Sequence, residues 1–223
     1  MSTWRTAAIL ASVVLAASVA VAEIEGALVV VESAPGTPGS EPWGAPPRFV
    51  LLKDGQVFVG GTSRLETGRL EKGELQALRK RIDAARKALE QGGRPSPSGE
   101  DRAIVRVRFS EEGPTETTLD PAMASAAPQP LVALVTELLR FDHPSLAPYA
   151  PSSYALAVRE RGLVGGCRPW TFTFPIERAL ATPVNVPATD AIGWPTGAMP
   201  ASVCVGDKRF VVTLRPLLPG EQP

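Results

Sequence analysis

The dipeptide Asp54-Gly55 constrains the fold of this chain more than any other short stretch. It separates two runs rich in β-branched and aromatic residues within RFVLLKDGQVFVGG, residues 48 to 61. An Asp-Gly pair supplies the positive φ angles that a two-residue type I′ turn requires. The sequence therefore predicts a β-hairpin at this position, closed by a two-residue turn.

Other stretches carry the same strand signal. Apolar and polar residues alternate, or β-branched residues cluster, between turn-forming residues. The predicted strands are EGALVVVES (25–33), AIVRVRF (103–109), TETTL (115–119), SYALAVRE (153–160), RPWTFTF (168–174) and ASVCVGDKRFVVTLR (201–215). In RPWTFTF the alternation predicts one face with Trp170, Phe172 and Phe174. We interpret these rings as core, although an aromatic row of this kind is also typical of a sugar or nucleobase site.

Two segments show the period of an amphipathic helix. Between residues 73 and 90 apolar residues recur at steps of three and four, and Gly92-Gly93 follows as a stop signal. The stripe consists of Leu75, Leu78, Ile82, Ala85 and Leu89. A second helix is predicted at PLVALVTELLRF (130–141), where Pro130 suits the first turn.

These elements predict the α+β class. A largely antiparallel sheet, formed by hairpin-helix, hairpin-helix and terminal strands, should pack its apolar face on the two helices. We expect residues 23–223 to form a single domain. Within it, the Pro/Gly-rich stretch 34–47 and the Pro-rich stretch 176–200 are predicted to be long loops.

The first 22 residues are typical of a secretory signal peptide. They contain one positive charge, Arg5, and an apolar run that ends with Ala20 and Ala22 in an A-x-A pattern before Glu23. We expect cleavage after Ala22 and a protein that is secreted or periplasmic, without stable membrane insertion. Retention of the segment as an uncleaved anchor is the alternative.

The charge balance of the chain gives no sign of a nucleic-acid partner. Lys and Arg number 23 and Asp and Glu number 23, so loss of Arg5 leaves 22 against 23, a net charge of −1. Because electrostatic attraction to phosphates dominates nucleic-acid binding, this balance gives no reason to expect a nucleic-acid partner.

Cys167 and Cys204 are the only cysteines. In an oxidising compartment two cysteines most simply form a disulfide, which would stabilise the fold by on the order of 4 kcal/mol. A thiolate nucleophile would need a base, and the sole histidine, His143, lies in a distant Pro-flanked loop. A zinc site would need four ligands with local pairing, and the sequence has no C-x-x-C motif.

Motifs of known enzyme classes are missing from the sequence. It contains no G-x-S-x-G, S-x-x-K, Walker loop or H-E-x-x-H. A Ser-His-Asp arrangement could be assembled from His143, Asp142 and one of many serines, but no spacing selects it. We therefore assign no catalytic residue, metal site or cofactor.

The order of elements resembles that of secreted proteins and lipoproteins of high-GC bacteria. The resemblance rests on the strand pair around KDGQV, the helix that starts RLEKGELQAL and the late segment W-x-F-x-F-P-I…L-A-x-P. In that group the hairpin often reads Y-x-D-G-x-V and the late segment W-P-L. The resemblance implies an extracytoplasmic location. It does not imply any particular activity. The chain lacks the lipobox cysteine of the lipoproteins.

These observations favour a noncatalytic binding module, in one version an inhibitor of an extracellular enzyme. The stretch 176–200 is the predicted contact surface for an extracytoplasmic protein or glycan, since long structured loops often carry function. The residues assigned to it are Asp190, Trp194, Pro195 and Met199. The alternative is a carboxylate-based hydrolase of cell-wall or glycan material, with Glu177 and Asp190 as candidate acids.

Overall fold

A computed structural model of the chain describes residues 24–34, 46–60, 65–92, 104–110, 115–120, 126–160, 166–196 and 200–223. Within these ranges it contains three helices and twelve strands, so the predicted α+β class is confirmed. The strands form two sheets instead of the single sheet expected: one has seven antiparallel strands and the other has five strands with mixed directions.

The larger sheet has the strand order β6-β5-β1-β2-β3-β4-β7. Its strands are β1 (Ala27–Ala34), β2 (Phe49–Leu52), β3 (Gln56–Val59), β4 (Glu66–Arg69), β5 (Ile104–Phe109), β6 (Thr115–Leu119) and β7 (Ala147–Pro148). Helices α1 (Lys72–Gly92) and α2 (Gln129–Leu139) follow its two predicted hairpins, β2-β3 and β5-β6. Both helices were predicted from their apolar period.

One face of this sheet packs against the two helices. Alternate strand residues and the apolar stripes of the helices form one buried cluster. Its members include Val29, Val31, Phe49, Leu51, Val107 and Phe109 from the strands, and Leu78, Ile82, Ala85, Leu131 and Leu134 from the helices. The apolar residues that recur every second position in the strands and every 3.6 positions in the helices therefore form one core, as the sequence predicted.

The β2-β3 hairpin is confirmed, but the prediction of a two-residue turn was wrong. The loop contains three residues, and Gly55 N–H donates to Leu52 O at 3.0 Å. Gly55 has φ +86°, the left-handed conformation that glycine favours. The Asp54 carboxylate accepts from Gln56 N–H at 3.0 Å. This is the three-residue hairpin loop in which a turn is followed by a left-handed glycine.

The opposite face of the larger sheet is also covered. Val30, Val50 and Phe58 point away from the helices and form a separate cluster with Leu218, near the carboxyl end of the chain. Tyr149 Oη–H donates to Leu217 O at 3.0 Å. The last residues of the chain therefore belong to the core that covers this face of the larger sheet.

The smaller sheet has the strand order β10-β8-β12-β11-β9. Its strands are β8 (Ser153–Glu160), β9 (Arg168–Pro169), β10 (Val184–Pro187), β11 (Ala201–Val205) and β12 (Lys208–Pro216). The short helix α3 (Ile176–Ala181) contacts β8, and β9 runs parallel to β11 while the other pairs are antiparallel.

Two predictions for the last third of the chain need correction. Only Arg168 and Pro169 of RPWTFTF pair in a sheet, and the residues from Trp170 to Pro175 are irregular. The stretch 176–200 is not a loop throughout, because it contains α3 and β10. The signal segment and most of the predicted loop 34–47 lie outside the described residues and stay predictions.

Candidate functional site

Cys167 and Cys204 form a disulfide with their Cα atoms 5.6 Å apart, as the sequence predicted. The bond joins the residue before β9 to the fourth of the five residues of β11. It closes a segment with a sequence separation of 37 residues, which includes α3 and β10. Cys167 is exposed and Cys204 is half-buried, so the bond lies at the surface.

After β10 the chain makes a compact turn from residue 188 to 194, here called the 188–194 turn. Two backbone N–H groups, of Asp190 and Ala191, donate to Pro187 O at 3.0 and 3.3 Å. Trp194 N–H donates to Ala191 O at 3.0 Å, and Gly193 has φ +78°. Ala188 N–H donates to Ser152 O at 2.9 Å, which connects the start of the turn to the chain before β8.

Side chains from the residues after Cys167 hold the other end of this turn. The guanidinium carbon of Arg168 lies 4.1 Å from the centroid of the Trp194 ring, and its Nη1–H donates to Gly193 O at 2.9 Å. Trp194 Nε1–H donates to Thr171 Oγ1 at 3.2 Å. A cation over an aromatic face is an attractive contact, so Arg168 binds the turn by two interactions.

The aromatic residues of this region form one group behind the turn. Phe172 stacks on Trp194 with ring centroids 4.6 Å apart, and Trp170 meets Phe172 edge-on at 4.9 Å. Phe174 contacts both Trp170 and Phe172, and its carbonyl accepts from Trp170 Nε1–H at 2.7 Å. These rings pack with the apolar cluster of the smaller sheet. Phe172 is buried, as the interpretation of the row as core predicted, whereas Trp170 and Phe174 are half-buried against the cluster.

The structure separates the residues that the sequence assigned to a contact surface. Trp194 is only 6% exposed and lies in the core behind the turn. Pro195 is half-buried and Asp190 is exposed, while Met199 lies outside the described residues. The residue that the sequence reasoning missed is Ile192, which is 79% exposed. Its only sequence signal was an aliphatic residue directly before a glycine in a turn-rich stretch.

The two candidate acids of the alternative hydrolase lie on different elements. Glu177 is exposed in the first turn of α3. Asp190 lies in the 188–194 turn, where its Oδ1 accepts from Thr189 Oγ1–H at 3.1 Å. No group of three or more His, Cys, Asp or Glu side chains in the described ranges is placed to hold a metal ion.

His143 lies between a serine and a carboxylate, but the carboxylate is not the neighbouring Asp142. His143 Nδ1 is 2.7 Å from Ser145 Oγ, and Nε2 is 3.1 Å from Glu74 Oε1. Ser145 N–H donates to Nδ1 at 3.2 Å, which makes Nδ1 the acceptor and Nε2–H the donor to Glu74.

The polar contacts of Ser145 identify this group as a structural junction. Its Oγ accepts from Arg69 N–H at 3.0 Å and shares its one hydroxyl proton between two acceptors, Arg69 O at 3.2 Å and His143 Nδ1 at 2.7 Å. Glu71 N–H donates to Glu74 Oε2 at 2.8 Å, so Glu74 caps the start of α1. The junction thus joins β4, α1 and the loop before β7.

Comparisons with known proteins gave no match: no family model, no curated protein and no solved structure matches the chain. No helix within the described residues is long and apolar enough to cross a membrane. The site is therefore interpreted from its own geometry.

Proposed function

We propose that the protein acts outside the cytoplasm as a noncatalytic binding protein, and that the 188–194 turn inserts Ile192 into an apolar pocket of a partner protein. From here on this turn is called the binding turn. The observation that carries this proposal is the combination of a 79% exposed aliphatic side chain with a turn that is held at both ends. An exposed isoleucine in such a place has no packing role within the described structure.

The energetic argument concerns burial and order. Burying an isoleucine side chain fully contributes roughly 1.5–3 kcal/mol to association. A flexible loop would lose part of this gain when it becomes ordered, whereas a turn fixed in advance loses little. The hydrogen bond from Arg168 to Gly193 O and the one from Ala188 N–H to Ser152 O supply this order before a partner binds.

The chemistry of the turn favours a protein partner over a glycan. Glycan sites present exposed aromatic faces, and the tryptophan of this turn is buried. Ile192 offers only aliphatic surface, which matches an apolar pocket. An inhibitor of a secreted enzyme is one version of this proposal, because inhibitors commonly present a rigid loop to their target.

The proposed location has separate support. The disulfide points to an oxidising compartment outside the cytoplasm. Together with the predicted signal peptide and the resemblance to secreted proteins of high-GC bacteria, this supports a secreted or periplasmic protein.

The test compares two substitutions of exposed aliphatic residues. The exported protein, immobilised, is used to capture partners from culture supernatant, and the affinity of any identified partner is then measured with purified components. Ile192→Asp should abolish capture, whereas Val205→Asp should preserve it, since Val205 is also exposed but lies in β11, outside the binding turn. Equal capture by both variants would reject the proposed surface. Turnover of a glycan panel that is lost in Glu177→Gln would favour the hydrolase instead.

A further inference from the structure

We infer that the Cys167–Cys204 disulfide controls the conformation of the binding turn through Arg168, so that thiol-disulfide exchange switches the proposed binding surface. The effect on binding rests on the proposed function. The coupling between disulfide and turn is a separate physical statement that can be tested without a partner.

The first step concerns how β9 is held. This strand has two residues, and its pairing with β11 places Arg168 opposite Val203 and Pro169 opposite Cys204. Proline has no N–H to donate, which limits the hydrogen bonds that such a short edge strand can form. The covalent bond from Cys167 to Cys204 is therefore the strongest connection between β9 and the sheet.

The second step concerns the contacts between β9 and the binding turn. Arg168 follows Cys167 directly, and it contacts the binding turn through the Trp194 ring and through Gly193 O. Thr171, three residues further on, accepts the hydrogen bond from the Trp194 indole. Release of β9 would thus weaken the side-chain contacts that fix the end of the turn next to Ile192.

The third step concerns access and chemistry. Cys167 is an exposed residue, and thiol-disulfide exchange starts when a thiolate, here that of an extracytoplasmic dithiol protein, attacks one sulfur of the disulfide. Attack on Cys167 Sγ forms a mixed disulfide, and Cys204 leaves as a thiolate that takes up a proton. The second thiol of the dithiol then attacks the mixed disulfide and releases Cys167 as a thiol. The dithiol is oxidised to its disulfide, and the two cysteines receive the two electrons.

The rest of the smaller sheet does not depend on this bond. β11 pairs with β12 over five positions and β12 with β8 over seven, and the apolar cluster beneath them includes Leu156, Val203 and Leu214. Reduction should therefore loosen the turn while the central strands remain folded.

Hydrogen exchange of the exported full-length protein, measured by mass spectrometry, tests the coupling. The protein is compared in its oxidised form and after reduction and alkylation. Loss of one cation-π contact and one hydrogen bond should speed exchange in peptides that cover 188–196 roughly tenfold. Peptides from β12 should stay protected in both forms over the labelling times at which the turn exchanges.

Two arginine variants make the test specific. Arg168→Gln keeps the disulfide but should reproduce the faster exchange of the turn, and reduction of this variant should add little further change. Arg178→Gln is the matched control, because Arg178 also lies over an aromatic ring of the cluster, 5.8 Å from the Phe174 centroid. It should leave exchange in the turn unchanged.

Two results would overturn the inference. One is unchanged exchange in the turn although thiol labelling shows complete reduction. The other is loss of protection throughout β8, β11 and β12 at these same labelling times, which would show that reduction unfolds the whole sheet. If the turn loosens on reduction but a partner bound through Ile192 keeps its affinity, the coupling stands and the switching of binding is wrong. Loss of capture in Ile192→Asp tests the proposed function separately.

Discussion

The guanidinium of Arg215 lies 2.6 Å from the carboxylate of Glu221, where Nη1 donates to Oε1. Arg215 belongs to β12 of the smaller sheet, and the other oxygen of Glu221 accepts from Leu218 N–H at 2.9 Å. Leu218 packs against the face of the larger sheet that points away from the helices. The ion pair therefore fixes the chain where it passes from one sheet to the other.

Glu221→Ala should destabilise the protein by about 3 kcal/mol, because it leaves a poorly exposed guanidinium without this partner. The Glu221 side chain is only 3% exposed, which makes the pair unlike a surface ion pair. Urea denaturation measures the difference in the free energy of unfolding. Glu160→Ala is the control: its pair with Lys208 spans 3.8 Å at the surface, and its loss should cost less than about 1 kcal/mol. Equal effects of the two substitutions would contradict the role given to Glu221.

Glu32 should make stability fall as pH rises. Burial in the sheet raises the pKa of Glu32, and attraction to Arg108, Arg106 and Arg215 opposes this effect without cancelling it. Since the folded pKa lies above the unfolded value, the folded state binds more protons between the two values. The free energy of unfolding therefore decreases as pH rises through this interval.

Glu32→Gln removes the titrating group and tests this sign. The variant should be at least as stable as the natural protein at neutral pH, and its advantage should disappear below the unfolded pKa of the carboxyl. Urea denaturation over a pH series gives the difference curve. A variant that is clearly less stable at neutral pH would show that the contact of Glu32 with Arg108, 3.2 Å long, outweighs the cost of burial.

The parts of the fold that the sequence predicted are those with a local period. The stripe from Leu75 to Leu89 and the alternation in β5 each identify an element without its neighbours. The division into two sheets depends on which strands pair at long range, and no local pattern encodes that choice. β4 was missed because Thr67 and Gly68 give it no apolar alternation. Trp194 was predicted to lie on a contact surface but is buried, whereas Ile192 in the same segment is exposed, and only the packed structure reveals this difference.

Gly68→Ala should destabilise the junction between β4 and the loop before β7. A methyl group at this position would lie 2.5 Å from Ser145 Oγ and 3.1 Å from the Ser145 backbone. Either β4 or the loop that contains Ser145 must therefore move. Such overpacking costs typically about 1–3 kcal/mol. Gly73→Ala is the control, since nothing lies within 4 Å of the added methyl and alanine favours the helix, with an expected gain of up to about 1 kcal/mol. Thermal denaturation of both variants is the measurement. Destabilisation of Gly68→Ala alone indicates a steric effect, whereas destabilisation of both variants indicates a general effect of losing glycine.

Glu74 should have the opposite pH dependence to Glu32. The hydrogen bond from Glu71 N–H lowers the pKa of the Glu74 carboxyl, and the contact with His143 lowers it further. Because the folded pKa lies below the unfolded value, its stabilising contribution is complete above the unfolded pKa and is lost as pH falls through the folded one. Glu74→Gln should therefore be less stable than the natural protein at neutral pH, and the difference should close in acid.

Glu137→Gln serves as control, since Glu137 forms an exposed ion pair with Arg81 away from the start of α1. A Glu74→Gln deficit that stays constant from neutral to acid pH would contradict the capping role, and NMR titration of the Glu74 carboxyl carbon would measure the direction of its pKa shift independently.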